Sequence, residues 1–277
     1  SHKQIRKESF AVNDQSGPSS QHLRAWLLGQ STDIDEWLMA KVMSYLLAGD
    51  SAARMMHFLE TTDLGACPSS LTGLHAYFQQ MSFVIGVEQA NPDSQNDWIT
   101  TVDEILMNIK QNGFESERIE AVFDQFELQL KDRSASTPYG IQLLSRCVLP
   151  ALHQAPVKEF LFLDEALRRC RHKLNDPKAI ASWIDQWLIN NQHQVILTAI
   201  PDESLIEQQK NMTEKDLNQT LAQLDQDALV SLKENESKLE ERQRSPQDLN
   251  VLPSLSKKDL EQPSNIMTVD SVIDASC

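Results

Sequence analysis

The 277-residue sequence has no glycine after Gly140 and no aromatic residue after position 200. Ordinary cores are built from such residues, so the last 77 positions lack the means to build one alone. Several chemical devices are missing as well. None of the four cysteines, Cys67, Cys147, Cys170 and Cys277, stands in a Cys-x-x-Cys, and their wide gaps exclude a redox clip or a compact metal knuckle. The two nearest histidines, His57 and His75, are 18 positions apart. A metal pair on one helix face needs i,i+3 or i,i+4 spacing, so no such pair exists. There is no G-x-S-x-G, no P-loop and no G-x-G-x-x-G, which removes the common nucleophile and phosphate-cradle patterns. No apolar run is long enough to span a bilayer. Bases are in deficit, 25 Lys+Arg against 40 Asp+Glu for a net of −15, which argues against a nucleic-acid binder. The start, Ser1-His2-Lys3-Gln4, has neither a signal-type apolar stretch nor an initiator methionine, so the chain reads as a piece of something longer.

What remains is a sequence in two regimes. Residues 201–277 carry 16 acidic against 8 basic residues, a net of −8, so about half of the charge excess lies there. The first regime alternates strand and helix patterns. Residues 20–29 read as a strand with Leu23, Ala25 and Leu27 on one side and His22, Arg24, Trp26 and Leu28 on the other. Asp33 and its neighbours offer caps for a helix from about Ile34 to Ala48, stopped by Gly49. A short helix holding Met55, Met56, Phe58 and Leu59 follows, then a loop over 61–76. Residues 77–89 form the clearest strand, whose second half is apolar on both faces, with Gly86 marking a bulge or a close backbone approach. Helices are predicted for 97–112, for 116–131 and from Thr137-Pro138 onward, the last carrying Ile141, Leu144, Val148 and Leu149. Two more follow, one over 157–174 and one after Asp176-Pro177. His193–Ile200 is a second clear strand. Paired helices between strands predict an α+β fold, a mainly antiparallel sheet covered by helices on one face.

The second regime reads as two thin helices, 203–223 and about 226–243, forming a helical hairpin with too few apolar residues to hold without a partner surface. The domain reading is therefore 1–202 for the α+β domain, 203–250 for a helical hairpin linker and 251–277 for an extended connector.

Certain stretches carry a family resemblance. They are Leu27-Leu28-Gly29, Tyr45-Leu46-Leu47-Ala48-Gly49-Asp50-Ser51, Leu59-Glu60 with Leu64-Gly65, and Phe83-Val84-Ile85-Gly86. Gly113-Phe114, Gln125-Phe126-Glu127 and Trp187-Leu188-Ile189-Asn190-Asn191 leading into Ile200-Pro201-Asp202 follow. In the second regime they are Glu241-Arg242-Gln243 and Leu252-Pro253-Ser254-Leu255. In this order they resemble the pitrilysin/insulinase-type zinc metallopeptidases, specifically the presequence-protease branch. Residues 20–200 look like the second, non-catalytic domain of the N-terminal half, and 203–265 like the hairpin linker between the two halves.

The resemblance implies a parent peptidase that degrades short unfolded peptides in a closed chamber, of which this part would form wall and hinge. It implies zinc in the parent, held by an H-x-x-E-H helix that this sequence lacks. No residue here is therefore assigned a catalytic, cofactor-binding or metal-ligating role. The implied partners are the remaining domains of the same polypeptide and peptide substrates, with no nucleic acid and no membrane. Free thiols favour a reducing compartment, cytoplasm or organelle matrix. A net negative wall would favour basic peptides. Two other readings compete: a zinc-free scaffold subunit of the same superfamily, and a helical interaction module acting through 203–243.

Overall fold

In a computed structural model, residues 3–12, 20–131 and 138–246 are described, and the connector proposed for 251–277 lies outside them. The chain divides into two units, Ser1–Asn211 and Met212–Cys277.

The first unit is built on a six-stranded sheet. Its strands are β1 (Gln4–Ala11), β2 (Ser20–Gln30), β3 (Cys67–Pro68), β4 (Gly73–His75), β5 (Gln80–Ala90) and β6 (Gln194–Asp202). The order across the sheet is β1-β6-β2-β5-β3, with β4 also pairing with β5. All pairings are antiparallel except β1 on β6, which is parallel, so the sheet is mixed. Helices supply the other layer: α1 (Ile34–Ala48), α2 (Arg54–Thr61), α3 (Gln95–Asn112), α4 (Ser116–Lys131), α5 (Tyr139–Leu152), α6 (Val157–Leu161), α7 (Asp164–Leu174) and α8 (Pro177–Ile184). The expected α+β fold is present.

Local chemistry explains most boundaries. Asp33 caps α1, its carboxylate accepting from the Asp35 and Glu36 amides, and Asp176 caps α8 by accepting from Lys178. Gly113 ends α3 at φ +66°, a left-handed value that suits glycine. At Gly86 a Cβ would lie 2.4 Å from Leu23 Cδ2 and 2.7 Å from the His22 carbonyl, so the backbone approach expected from the sequence is real.

Other boundaries depart from the sequence reading. Strand β1 was not foreseen: its residues are almost all exposed, so no burial alternation marks it, and its pairing with β6 is supplied from the far end of the unit. The loop over 61–76 contains β3 and β4, strands of two and three residues that exist by docking on β5. Strand β5 starts at Gln80 rather than 77, leaving Tyr77 and Phe78 exposed. The helix foreseen over 157–174 is split into α6 and α7. The break falls at Phe162, whose φ of −112° and ψ of 82° are not helical; Phe160 and Leu163 on either side are buried and Phe162 is exposed. In α5 the apolar residues Ile141, Leu144, Val148 and Leu152 share one side, yet all four are exposed.

One core lies between the sheet and the helices. Trp26, Leu28, Met81, Phe83, Ile85 and Val87 from β2 and β5 meet Leu38, Val42 and Leu46 of α1, Trp98, Val102 and Leu106 of α3, and Phe123 of α4. Cys147 and Cys170 are buried free thiols, and burial pushes the Cys170 thiol up to about 12, which keeps it protonated and inert.

Helix α9 (Ser204–Gln223) begins after Asp202, whose carboxylate accepts from the Ser204 amide. In the second unit, α10 (Gln226–Arg244) is capped by Asp225, which accepts from the Ala228 amide. Neither helix has a buried residue, and Leu217, Leu221, Leu232 and Leu239 are exposed.

Candidate functional site

Residues on β2 alternate strictly. Ser20, His22, Arg24, Trp26 and Leu28 are buried, whereas Gln21, Leu23, Ala25 and Leu27 are only partly covered. Strand β5 repeats the pattern, with Met81, Phe83, Ile85 and Val87 buried and Ser82, Val84 and Glu88 partly covered. On β6, Gln194, Ile196 and Thr198 are buried while Val195, Leu197 and Ala199 are open to varying degrees. Directly paired residues project from the same side of a sheet. The register therefore assembles one face: Arg6, Leu197, Leu23 and Gly86 form one row, and Gln4, Val195, Ala25, Val84 and Gly73 the next. This face is apolar along its centre. It stands apart from the helical core, and its charged members lie toward the rim: Arg6 and Glu8 on β1, Glu88 on β5. Such a surface offers extended apolar contact, with the exposed thiol of Cys67 opposite Glu88 at its rim.

The other face of β2 puts its polar residues inside the protein. His22 is fully buried, with Nδ1 3.0 Å from Thr198 Oγ1 and Nε2 3.0 Å from the Asn91 carbonyl. A carbonyl only accepts, so the neutral ring carries its proton on Nε2, and Nδ1 accepts from the Thr198 hydroxyl. The ring tilts against Trp98 at 6.0 Å. Burial lowers the His22 pKa below the ordinary 6.5, with Lys7 adding repulsion, against the opposing effect of the Asn91 hydrogen bond. The folded state thus holds His22 neutral, while the unfolded chain takes up a proton below pH 6.5. Stability from this group is present above 6.5 and is lost as pH falls from there toward the lower folded value. Thermal melts between pH 7.5 and about pH 5 should show a fall in Tm that is smaller in His22→Gln. Equal slopes in the two proteins would contradict this account.

Arg24 is buried beside it, and its guanidinium bonds Asp103 at 2.5 Å and Gln194 at 3.0 Å. Sequence reasoning placed His22 and Arg24 on one side of the strand with Trp26 but gave no sign that this side is the interior. The signal available was their strict alternation with Leu23, Ala25 and Leu27. The remaining described histidines, His57, His75, His153, His172 and His193, are not buried. Among the described residues no three His, Cys, Asp or Glu side chains gather as a metal ion would require. With no H-x-x-E-H in the sequence either, these residues do not fit the family's zinc. Among the described residues, no helix is long and apolar enough to cross a membrane.

The described residues of the first unit thus form a sheet with a helical layer and an open apolar face. Solved structures agree on the fold. The inactive peptidase domain of a putative zinc protease from Bordetella parapertussis matches with a TM-score of 0.53 at 16% identity, over 69% of this chain and 95% of that one. The peptidase M16 inactive domain from Pseudomonas fluorescens matches with a TM-score of 0.51 at 14% identity, over 73% of this chain and 44% of that one.

Sequence comparison narrows the class. The family of segments associated with subfamily C of peptidase M16 matches residues 200–275. The mitochondrial presequence protease of Danio rerio is 28% identical over 86% of this chain, and that of Xenopus laevis 27% over 85%. This chain spans about a quarter of their length, 23% of each. The resemblance to the presequence-protease branch of the pitrilysin-type peptidases therefore stands, and this chain is similar to a non-catalytic part of such a protein.

Proposed function

We propose that this chain is a non-catalytic section of a zinc metalloendopeptidase that degrades short unfolded peptides, with 1–202 forming wall of the substrate chamber and 203–250 the hinge between two halves. The observation that carries this reading is the open sheet face, whose apolar centre of Leu23, Ala25, Val84, Val195 and Leu197 has no helical cover among the described residues. A monomeric fold does not leave such a face uncovered without use. The exposed stripe of α5 and the exposed leucines of α9 and α10 are further surfaces for the remaining domains of the polypeptide. Zinc belongs to those domains, as does the general base. The free thiols and the mitochondrial relatives support a reducing organelle matrix as the compartment. The preference for basic peptides expected from net charge finds no support on this face, where Arg6 stands with Glu8 and Glu88 around an apolar centre.

The test uses the uninterrupted protein. Its coding sequence should contain H-x-x-E-H upstream of Ser1, and the purified protein should hold zinc and cleave unfolded peptides. Val195→Glu, a charge placed on the open face, should lower kcat/KM at least tenfold, about 1.4 kcal/mol, with zinc content unchanged. Unaltered kinetics would remove the wall assignment. Absence of the motif and of zinc would leave the zinc-free scaffold reading instead.

A further inference from the structure

On the helical side, away from the open face, a cavity of about 380 Å³ lies between α1, β4 and α5. That volume is within the range of small-molecule sites. Trp37, Leu74 and Leu149 give it apolar walls. Lys41 of α1 and Arg146 of α5 line it, and among the described residues no aspartate or glutamate does. By contrast, the cavity beside Asp33, Asp35, Glu36, Glu159 and Glu165 is acidic, and Arg169, which also lines it, is already paired with Asp35.

Among the described residues neither Lys41 nor Arg146 bonds a carboxylate. The Lys41 ammonium instead rests 5.6 Å from the Trp37 ring and 5.9 Å from the Phe126 ring. Burial costs an ammonium solvation, and two ring faces return only part of it. Ser31 adds a further unmet need: it lines the same cavity, is almost fully buried, and its hydroxyl has no hydrogen-bond partner.

We infer that this cavity binds a carboxylate carried on an apolar group, with Lys41 and Arg146 holding the carboxylate and Trp37, Leu74 and Leu149 enclosing the apolar part. A carboxylate suits the site because a guanidinium fork matches its planar pair of oxygens, and one negative charge suffices between two half-buried cations. The apolar walls reject a fully hydrated anion such as free phosphate. Two sources share this chemistry: the C-terminus of a peptide ending in an apolar residue, and a fatty acid. The site is separate from the open sheet face and holds whether or not the chain serves a peptidase.

The experiment uses the 277-residue chain and follows tryptophan fluorescence and calorimetry with three probes: N-acetyl-Leu-Phe with a free carboxylate, the same dipeptide as its amide, and octanoate. At least one carboxylate should bind saturably at or below about 1 mM, and the free dipeptide should bind at least tenfold more tightly than its amide if it is the better ligand. Lys41→Gln and Arg146→Gln should each weaken carboxylate binding by roughly tenfold to a hundredfold, the range for a hydrogen bond to a charged group. Circular dichroism checks that each variant folds. If Lys41→Gln does not, Arg146→Gln carries the test. A dipeptide that outbinds octanoate assigns the site to peptide C-termini, and the reverse order assigns it to fatty acids. Absence of saturable binding by either carboxylate would overturn the inference, as would equal binding of dipeptide and amide with no binding of octanoate, or wild-type affinity in a folded variant.

Discussion

Replacing Trp26 by alanine should destabilise the chain by about 3–5 kcal/mol, the range for deleting a large buried aromatic. Trp26 is fully buried at the centre of β2. Its ring stacks on Phe83 of β5 with centroids 6.0 Å apart, and the Arg24 guanidinium lies 4.6 Å from it on the same strand. The indole Nε1 donates to the Leu188 carbonyl at 2.9 Å. That carbonyl belongs to a turn of π-helix, Asp185–Ile189, which leads out of α8 toward β6. One side chain thus joins β2, β5 and the approach to β6, so its loss leaves both a cavity and an orphaned buried acceptor. Domains are stable by about 5–15 kcal/mol, so much of the total is at stake. At roughly 2–4 °C per kcal/mol for a unit of this size, Tm should drop by about 6–20 °C. Trp26→Phe keeps most of the ring and loses the donor, and should cost about 1–3 kcal/mol. A Trp26→Ala protein within about 1 kcal/mol of the parent in urea denaturation would refute this account of the core.

Asp103→Ala should cost more than Arg24→Met, even though Asp103 is the more exposed partner. The Arg24 side chain is 2% exposed and that of Asp103 45%. Removing Asp103 strands a guanidinium in the interior with Gln194 and the Trp26 ring as its remaining partners. Breaking a fully buried pair in this way costs about 3–5 kcal/mol, and the half-exposed carboxylate places the expectation below that range, at about 2–3 kcal/mol. Arg24→Met removes the charge itself and keeps the length. It leaves Asp103 at the solvent boundary of α3 and deprives Gln194 of one donor, for about 1–2 kcal/mol. The double variant should then be no worse than Arg24→Met alone. Urea denaturation of the three proteins decides the order, and an Arg24→Met protein clearly less stable than Asp103→Ala would show that the guanidinium acts as packing rather than as a charge needing a partner.

Much of the fold was legible because local chemistry and burial agreed. Helix α1 begins and ends where Asp33 and Gly49 say it should, α8 follows its Asp176 cap and α4 its apolar spacing. Strand β2 announced its alternation. Strand β1 was not legible, since an exposed edge strand paired at long range leaves no periodic trace in its own residues. The apolar stripe of α5 was visible, but its exposure was not: periodicity shows that a face is apolar, not whether anything covers it. The candidate face was half visible in the same sense. Leu23, Ala25 and Leu27 share a side by their spacing alone, yet they look like the more natural core beside His22 and Arg24.

The sequence by itself determined the two compositional regimes, the helix boundaries set by caps and glycines, the absence of zinc-binding spacing and the resemblance to a non-catalytic peptidase domain. Tertiary structure decided which side of β2 faces inward. Trp26 and Leu28 bring His22 and Arg24 with them into the core, because Thr198, Asn91, Asp103 and Gln194 stand ready to bond them. Those partners lie 69 to 176 positions away along the chain. A buried polar group is tolerated only where its partners meet it, and the linear sequence does not show that meeting.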